Sequence, residues 1–452
     1  MSSSESVEAS AKLRPRPVAK DLVWSVAGQF SFKLLGFVVL TLLARKLTPS
    51  EFGLLMFALA TSELIVLATE FGSSTYLTRE VAIDPGRALH LLGGVLGPRL
   101  LLLIAYLMTM LAIGKIVAPH SIAILMTCAL YAGLKDLYRA FNAVFVGSRR
   151  IVLGIIPFAS HQCVLAAGLW TVMSLRPGVG AAALVHLAAG IWLTVASIAL
   201  LRRHFGIVRP SLAGFRRVVR ASLPLFGLGA LTMLQLRLDA TLLGLLGSYA
   251  DVAAYAASAR LFEASQALVR PLITVFLPVA AGLAAAAAYR ALRRSLYRLL
   301  AAALAAGAVA AMTVVVIADQ VVLIVYGANY ASSADVLRIH FAATPSVFIG
   351  AVALFHVIAL RRERLALVCA VGGLLVNVTL DLLLIPEYGA IGAAWATLAA
   401  ETATATGLVT LAWFTLVTLS RGDGTRLGAD APKLLTGSNP HLPVEGRGAD
   451  LL

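Results

Sequence analysis

Charged side chains stand at helical spacing inside apolar segments that are long enough to cross a membrane. Arg260, Glu263 and Arg270 follow an i, i+3, i+10 pattern within the segment 252–282, which places them on one stripe of a helix. A charge that faces lipid at the centre of a span costs about 2.5–3.5 kcal/mol, so such residues normally face a protein interior or a water-filled cavity. A basic stripe on a buried helix therefore indicates an anionic ligand inside the membrane.

Two other apolar segments carry basic residues that suit the same ligand. Lys135 and Arg139 lie on one face of a helix predicted at 121–146. Arg237 and Asp239 are two residues apart in a further predicted helix, so they point to nearly opposite sides and cannot pair with each other. Arginine binds phosphate oxygens through two parallel hydrogen bonds, which favours a phosphate-bearing ligand. The residues that we expect to line a lumen for this ligand are Lys33, Lys135, Arg139, Arg237, Arg260 and Arg270.

Buried carboxylates are the candidates for coupling transport to an ion gradient. Glu63 and Glu70 share one face of a helix predicted at 52–77, and Asp239 lies in the helix predicted at 222–246. Removal from water favours the neutral form of a carboxylate unless a cation neutralises it. We therefore expect Glu70 and Asp239 to be ion-coupling sites. For these acids, as for the basic residues, a static ion pair that fixes helix packing is the alternative interpretation.

The composition is that of an integral membrane protein. The chain has 452 residues, of which 60% are hydrophobic and 13% charged, and a mean hydropathy of +0.90, whereas soluble domains carry about 25% charged residues. The three cysteines lie in apolar segments without metal-ligand or redox spacing. No motif for a catalytic site, a phosphate-binding loop or a metal occurs. We expect no enzymatic activity, cofactor, metal or nucleic-acid partner.

Apolar segments and basic loops together predict the topology. Outside the predicted spans, basic residues concentrate in the two termini and in alternate loops, whereas the opposite side has only Arg45, Lys46, Lys115 and Arg176. Basic loops stay in the cytoplasm, so both termini are predicted to be cytoplasmic. The twelve predicted helices are 22–44, 52–77, 91–114, 121–146, 151–174, 179–201, 222–246, 252–282, 296–318, 335–360, 365–385 and 389–419.

The basic loop at 202–220 divides the predicted spans into two groups of six, and a weak internal repeat supports two halves. The segment LTPSEFG at 47–53 is echoed by LGSYADVA at 246–253, which predicts two parallel-related six-helix bundles around a central cavity, with a site between them. The predicted regions are a basic cytoplasmic N-terminus (1–20), an N-terminal bundle (21–201), a basic cytoplasmic linker (202–220), a C-terminal bundle (221–420) and a disordered cytoplasmic tail (421–452).

Several stretches, in this order, resemble the polysaccharide (O-antigen) flippase family of the multidrug/oligosaccharidyl-lipid/polysaccharide exporter superfamily. The resemblance implies a central cavity and the export of an undecaprenyl-diphosphate-linked oligosaccharide across the inner membrane. Polysaccharide polymerases and glycosyltransferases would then be partners, and a cationic lumen would include Arg237, Arg260 and Arg270. The stretches are LLARKLTPSEFGLLMFALA (42–60), TEFGSSTYLTREVA (69–82), RLDATLLGLLGSYADVAAYAASARLFEA (237–264), VYGANYASSADVLRI (325–339) and NVTLDLLLIPEYGAIGAAWATLAAE (377–401).

Three other functions compete with this interpretation. A drug/cation antiporter of the same superfamily would need an acid-rich site, but basic residues outnumber acids within the predicted spans. A major-facilitator transporter also has six plus six spans, but its usual loop pattern is missing from TREVAIDPGRAL at 78–89. A membrane scaffold for polysaccharide assembly that transports nothing is the third alternative.

Overall fold

The computed structural model describes residues 35–213, 215–266 and 269–430, and within them the secondary structure is helical, without a strand. The helices are α1 (35–46), α2 (Pro49–Glu70), α3 (Ser73–Ile83), α4 (Ala88–Val117), α5 (Ile122–Gly147), α6 (Ile151–Leu175), α7 (Val179–His204), α8 (Phe215–Leu246), α9 (Tyr249–Gln266), α10 (Val269–Ala285), α11 (Tyr289–Val325), α12 (Ser333–Ala342), α13 (Thr344–Ala359) and α14 (Glu363–Asp430).

The described helices confirm a multi-pass membrane fold. In this part of the chain, nine helical segments are long and apolar enough to cross a membrane, and the last of them covers Glu363–Ser420. Its backbone leaves helical geometry at Gly389 (φ 54°, ψ −129°), in a region of backbone space that favours glycine. This break falls at the junction of the spans predicted at 365–385 and 389–419. The total of twelve spans stays a prediction.

Two predicted spans are interrupted rather than continuous. The span predicted at 52–77 is split into α2 and α3, because Phe71 (φ 35°) and Gly72 (φ 76°) both take left-handed backbone conformations. The segment predicted at 335–360 is split into α12 and α13, which meet at Ala343. Helical periodicity and hydropathy do not report such breaks directly, because a break is a change in backbone dihedral angles at one or two residues.

The repeated segment predicted from the sequence forms the same local structure twice. At the start of α2, the amide nitrogen of Glu51 donates to Thr48 Oγ1 at 3.3 Å, and the Thr48 amide donates to the Glu51 carboxylate at 3.1 Å. At the start of α9, the Asp251 amide donates to Ser248 Oγ at 3.1 Å, and the Ser248 amide donates to the Asp251 carboxylate at 3.2 Å. Both are reciprocal caps of a helix N-terminus.

The buried apolar side chains form three clusters, one shared by the two halves and one centred on each half. One cluster joins both halves and includes Phe57 of α2 and Val252 of α9. The other two are each centred on one half; Leu92 of α4 belongs to the first and Leu296 of α11 to the second. The halves therefore share a core at the end that carries the two reciprocal caps. At the opposite end, which carries the basic loops such as 202–220 (the arginine-rich loops), each half has a core of its own.

The predicted linker and tail are only partly within the described residues. Between α7 and α8 the chain crosses the start of α4, where the Ser211 amide donates to the Gly93 carbonyl at 2.9 Å. Helix α14 continues to Asp430, beyond the predicted start of the tail. Residues 1–34 and 431–452, which include the predicted N-terminal segment and most of the predicted tail, lie outside the described residues. The boundaries of the two bundles stay predictions.

Candidate functional site

A cavity of about 170 Å³ lies between the two halves. Helices α1, α2, α5, α6 and α7 line it from the N-terminal half, and α8 and α9 line it from the C-terminal half. Most of its apolar lining belongs to the core that joins the halves. The charged residues in its wall are Glu63, Lys135, Arg237, Arg260 and Glu263.

Glu63 is the charged centre of this cavity. Lys135 Nζ donates to Glu63 Oε1 at 2.6 Å, and Arg237 Nε lies 2.8 Å from Glu63 Oε2. Lys135 belongs to α5 in the N-terminal half and Arg237 to α8 in the C-terminal half. One carboxylate thus pairs with two cations from opposite halves, each through its own oxygen, and leaves the trio with a net charge of +1.

Three further contacts define the wall around these charges. Arg260 pairs with Glu263 of its own helix at 3.0 Å. The Lys135 ammonium also lies 5.2 Å from the centre of the Tyr131 ring, where the negative face of the ring attracts it. His186 reaches the same wall, and its Nδ1 donates to the Ala182 carbonyl at 2.8 Å. Because the N–H is on Nδ1, the neutral ring has an acceptor nitrogen at Nε2.

Of the six basic residues predicted to line a lumen, Lys135, Arg237 and Arg260 line this cavity together. Arg139 does not: it lies 3.8 Å from Asp136 on its own helix. Lys33 lies outside the described residues, and so does the Arg270 side chain. Each cavity-lining cation that is described has a carboxylate partner. Two of the three cations share one carboxylate, so the described wall, with three basic and two acidic residues, has an excess of one positive charge.

Glu70, predicted as an ion-coupling site, belongs to a buried network around Arg99. The Arg99 side chain is fully buried, 3.7 Å from Glu70 and 3.5 Å from Asp136. It also donates to Ser73 Oγ at 2.9 Å and to Ser74 Oγ at 2.7 Å. Arg99 therefore connects both sides of the break between α2 and α3 to α5. These contacts match the alternative interpretation of Glu70 as a static ion pair.

Asp239, the other predicted ion-coupling residue, has different surroundings. It accepts hydrogen bonds from the Tyr255 hydroxyl of α9 and from Thr397 Oγ1 of α14, the latter at 3.0 Å. Asp381, which is fully buried, lies beside it. A small cavity of about 40 Å³ adjoins this cluster, and Asn377 and Glu401 also line it. Asp239 thus lies among acidic and hydroxyl groups rather than in a pair with a cation in the described part of the chain.

The prediction that Arg237 and Asp239 cannot pair with each other is confirmed, because Arg237 contacts α2 and Asp239 contacts α9 and α14. Spacing placed Glu263 on the stripe of Arg260, but neither Glu63 nor Glu263 was predicted as a site residue. The shared face of Glu63 and Glu70 is the only signal that could have found Glu63, and it does not identify the partner of either acid.

Solved structures of other proteins share the fold of this chain. Lipid II flippase MurJ in an inward closed conformation matches with a TM-score of 0.68 at 14% identity, over 92% of this chain and 94% of that chain. An inward-facing multidrug resistance MATE family transporter of the MOP superfamily matches with a TM-score of 0.66 at 12% identity, over 86% of this chain and 96% of that chain. The fold is therefore that of the MOP-superfamily transporters.

A third match has a TM-score of 0.53 at 15% identity, over 87% of this chain and 93% of that chain. It is a MOP superfamily transporter from Pyrococcus furiosus, described as having a binding pocket of reverse polarity. Among curated proteins, none matches the chain. A family model described as polysaccharide biosynthesis protein matches residues 18–283. The chain belongs to this polysaccharide biosynthesis family, and the predicted family resemblance is confirmed.

Proposed function

We propose that the protein is a flippase that moves an undecaprenyl-diphosphate-linked oligosaccharide across the inner membrane for the synthesis of a surface polysaccharide. The observation that carries the proposal is the central cavity, to which both halves contribute cations: Lys135 from one, Arg237 and Arg260 from the other. Arginine and lysine bind phosphate oxygens through charge-assisted hydrogen bonds. A cavity between repeats is where a substrate can be passed from one side to the other.

Family membership supports the same conclusion. One of the proteins with a similar fold is named as a lipid II flippase, and a lipid-linked substrate is proposed for the present chain by analogy. In the proposed orientation both termini are cytoplasmic, and the separate cores of the two halves lie at the cytoplasmic end. Glycosyltransferases would assemble the substrate before its transfer across the membrane, and polysaccharide polymerases would act on it afterwards.

The polarity of the cavity favours this substrate over a drug cation. Three basic and two acidic residues are described in the cavity wall, and both acids are already paired with cations. The net positive charge of the described wall would therefore repel a cationic drug. The same charge would attract a diphosphate, which can take the place of the protein's carboxylates as the partner of these cations.

The test is the movement of a fluorescent undecaprenyl-diphosphate-linked sugar in vesicles that contain the purified protein. We expect label in the inner leaflet to become accessible to a reductant that cannot cross the membrane, at a rate that depends on the protein. Vesicles with an unrelated membrane protein at the same density provide the control. Absence of movement would favour the scaffold alternative, and proton-driven movement of a cationic dye in place of the lipid would favour the antiporter.

A further inference from the structure

Glu63 supplies negative charge in the central cavity at the place where an anionic headgroup would bind. Its Oε1 accepts from Lys135 Nζ at 2.6 Å and its Oε2 lies 2.8 Å from Arg237 Nε. Building on the proposed function, we propose that Glu63 is a resident counter-anion that the diphosphate of the substrate displaces from Lys135 and Arg237. Glu63 would then set both the affinity and the selectivity of the site for its anion.

The accessibility of the three side chains distinguishes this arrangement from a purely structural ion pair. The relative exposure is 15% for Glu63, 24% for Lys135 and 22% for Arg237, and all three line the cavity. Arg99, by contrast, has no exposed side-chain surface. A ligand in the cavity can reach the Glu63 cluster directly, but it cannot reach Arg99 without unpacking the helices around it.

Displacement of Glu63 requires an anion that satisfies both cations at once. If one cation lost the carboxylate without gaining a ligand oxygen, it would stay partly buried and unpaired, which is unfavourable. A diphosphate carries oxygens on two phosphorus atoms and can contact Lys135 and Arg237 together. A single phosphate can also bridge both cations, as the two oxygens of Glu63 do, but it carries less negative charge than a terminal diphosphate. The more highly charged diphosphate therefore displaces Glu63 more completely than a monophosphate does.

The exchange also changes what holds the two halves together at this depth. In the present structure α2 and α8 are joined by the ion pair between Glu63 and Arg237. After displacement, the ligand would join Lys135 of α5 to Arg237 of α8 in its place. A ligand shifts a conformational equilibrium only by its different affinity for the two states. The ligand contacts Lys135 and Arg237 only in the state in which their pairs with Glu63 are broken, so it has a higher affinity for that state.

The experiment compares the binding of two probes of equal chain length, a polyprenyl diphosphate and a polyprenyl monophosphate, to the purified full chain. Glu63→Gln keeps the shape of the side chain and both cations but removes the competing charge. We expect the variant to bind the diphosphate about fivefold tighter or more, the lower end of typical coupling between two ligands, and to lose most of its preference over the monophosphate. Weaker or unchanged diphosphate binding would overturn the proposal.

Glu263→Gln is the matched control, because it removes the same charge from the same cavity wall. Glu263 pairs with Arg260 of its own helix at 3.0 Å and does not connect the two halves. If the gain in affinity came only from a more positive cavity, both variants would gain equally. The proposal requires a clearly larger gain, and a larger loss of selectivity, in Glu63→Gln than in Glu263→Gln.

A measurement on the unaltered protein keeps the proposal testable should Glu63→Gln fail to accumulate. Wild type should bind the diphosphate about fivefold tighter or more than the monophosphate, because the monophosphate displaces Glu63 less completely; this factor is the lower end of typical coupling between two ligands. Equal affinities would overturn the proposal. The vesicle assay tests the proposed function separately. If wild type moves the lipid-linked sugar but Glu63→Gln binds both probes as wild type does, this inference is refuted and the proposed function stands.

Discussion

Gly53 of α2 lies directly against the backbone carbonyl of Tyr249 in the first turn of α9. A Cβ atom at this position would overlap the carbonyl oxygen and would lie 3.1 Å from the Ala253 amide nitrogen. The two helices begin with the two repeated segments, so the contact joins equivalent parts of the two halves. Close packing of two helix starts, which only glycine permits here, closes the end of the molecule opposite the arginine-rich loops.

Gly53→Ala should destabilise this closed end. Insertion of a methyl group into a tight contact costs about 1–3 kcal/mol, so the state in which this end is open should gain population. Distances between spin labels at the exposed positions Ser50 and Ala250, in a variant without native cysteines, should shift or broaden. Gly282→Ala is the control, because no atom lies within 4 Å of the corresponding Cβ. An unchanged distance distribution in Gly53→Ala would contradict the expectation.

Arg99→Met should strongly destabilise the N-terminal half. The change leaves Asp136 buried without this cation, and loss of one partner of a buried ion pair typically costs about 3–5 kcal/mol. Thermal unfolding in detergent and the amount of protein in the membrane measure the effect. Arg79→Ala is the control, because Arg79 is 56% exposed and pairs with the adjacent Glu80; an exposed pair contributes about 0–1 kcal/mol. Equal stability of both variants would refute the structural role of Arg99.

Asp239→Asn and Glu70→Gln should have different effects, because the two acids have different surroundings. Asp239 lies beside Asp381, and two adjacent carboxylates repel each other unless they share a proton or hold a cation. Asp239→Asn should therefore make transport in vesicles insensitive to an imposed ion gradient. Glu70 pairs with Arg99, so Glu70→Gln should mainly lower the amount of folded protein. Wild-type gradient dependence in Asp239→Asn would exclude this residue as a coupling site.

Arg260→Ala should reduce transport without unfolding the protein. Arg260 pairs only within its own helix among the described residues, and an i, i+3 pair on a helix contributes about 0.2–0.5 kcal/mol. A lost charge-assisted contact with a diphosphate is worth about 1.5–3 kcal/mol, a loss of roughly tenfold or more in affinity. Surface polymer should fall at normal membrane levels, with partial rescue by Arg260→Lys.

Arg270→Ala, at a second predicted lumen position, should behave as Arg260→Ala does. Normal export of polymer by both alanine variants would contradict the cationic lumen. A loss that merely follows the disappearance of the variants from the membrane would favour structural pairing instead.

Reporter fusions test the proposed orientation. A reporter placed after Ser248 should be outside the cytoplasm, and one placed after Arg217 inside, because the arginine-rich loops stay on the cytoplasmic side. A periplasm-dependent and a cytoplasm-dependent reporter at each position provide reciprocal readouts. The reverse location at either position would refute the predicted topology.

The sequence by itself determined features that depend on one segment at a time. Hydropathy separated the apolar helices, including the change of helix near Gly389, because each span must be apolar over its own length. Helical periodicity placed Arg237 and Asp239 on opposite sides of α8, because side-chain direction follows from spacing within one helix. The echo of LTPSEFG in LGSYADVA indicated two related halves, because a repeat is visible in the chain itself. The reciprocal caps that these segments form at Thr48 and Ser248 were not predicted.

Only the tertiary structure decided which helices the charged side chains face. Spacing placed Lys135 and Arg139 on one stripe, yet Lys135 reaches Glu63 in the cavity while Arg139 lies beside Asp136. Spacing within one helix also cannot predict that Glu63 pairs with a cation from each half. Periodicity fixes the direction of a side chain relative to its own helix axis, whereas its partner depends on how helices distant in sequence pack together, and an ion pair forms only where that packing brings opposite charges within about 4 Å.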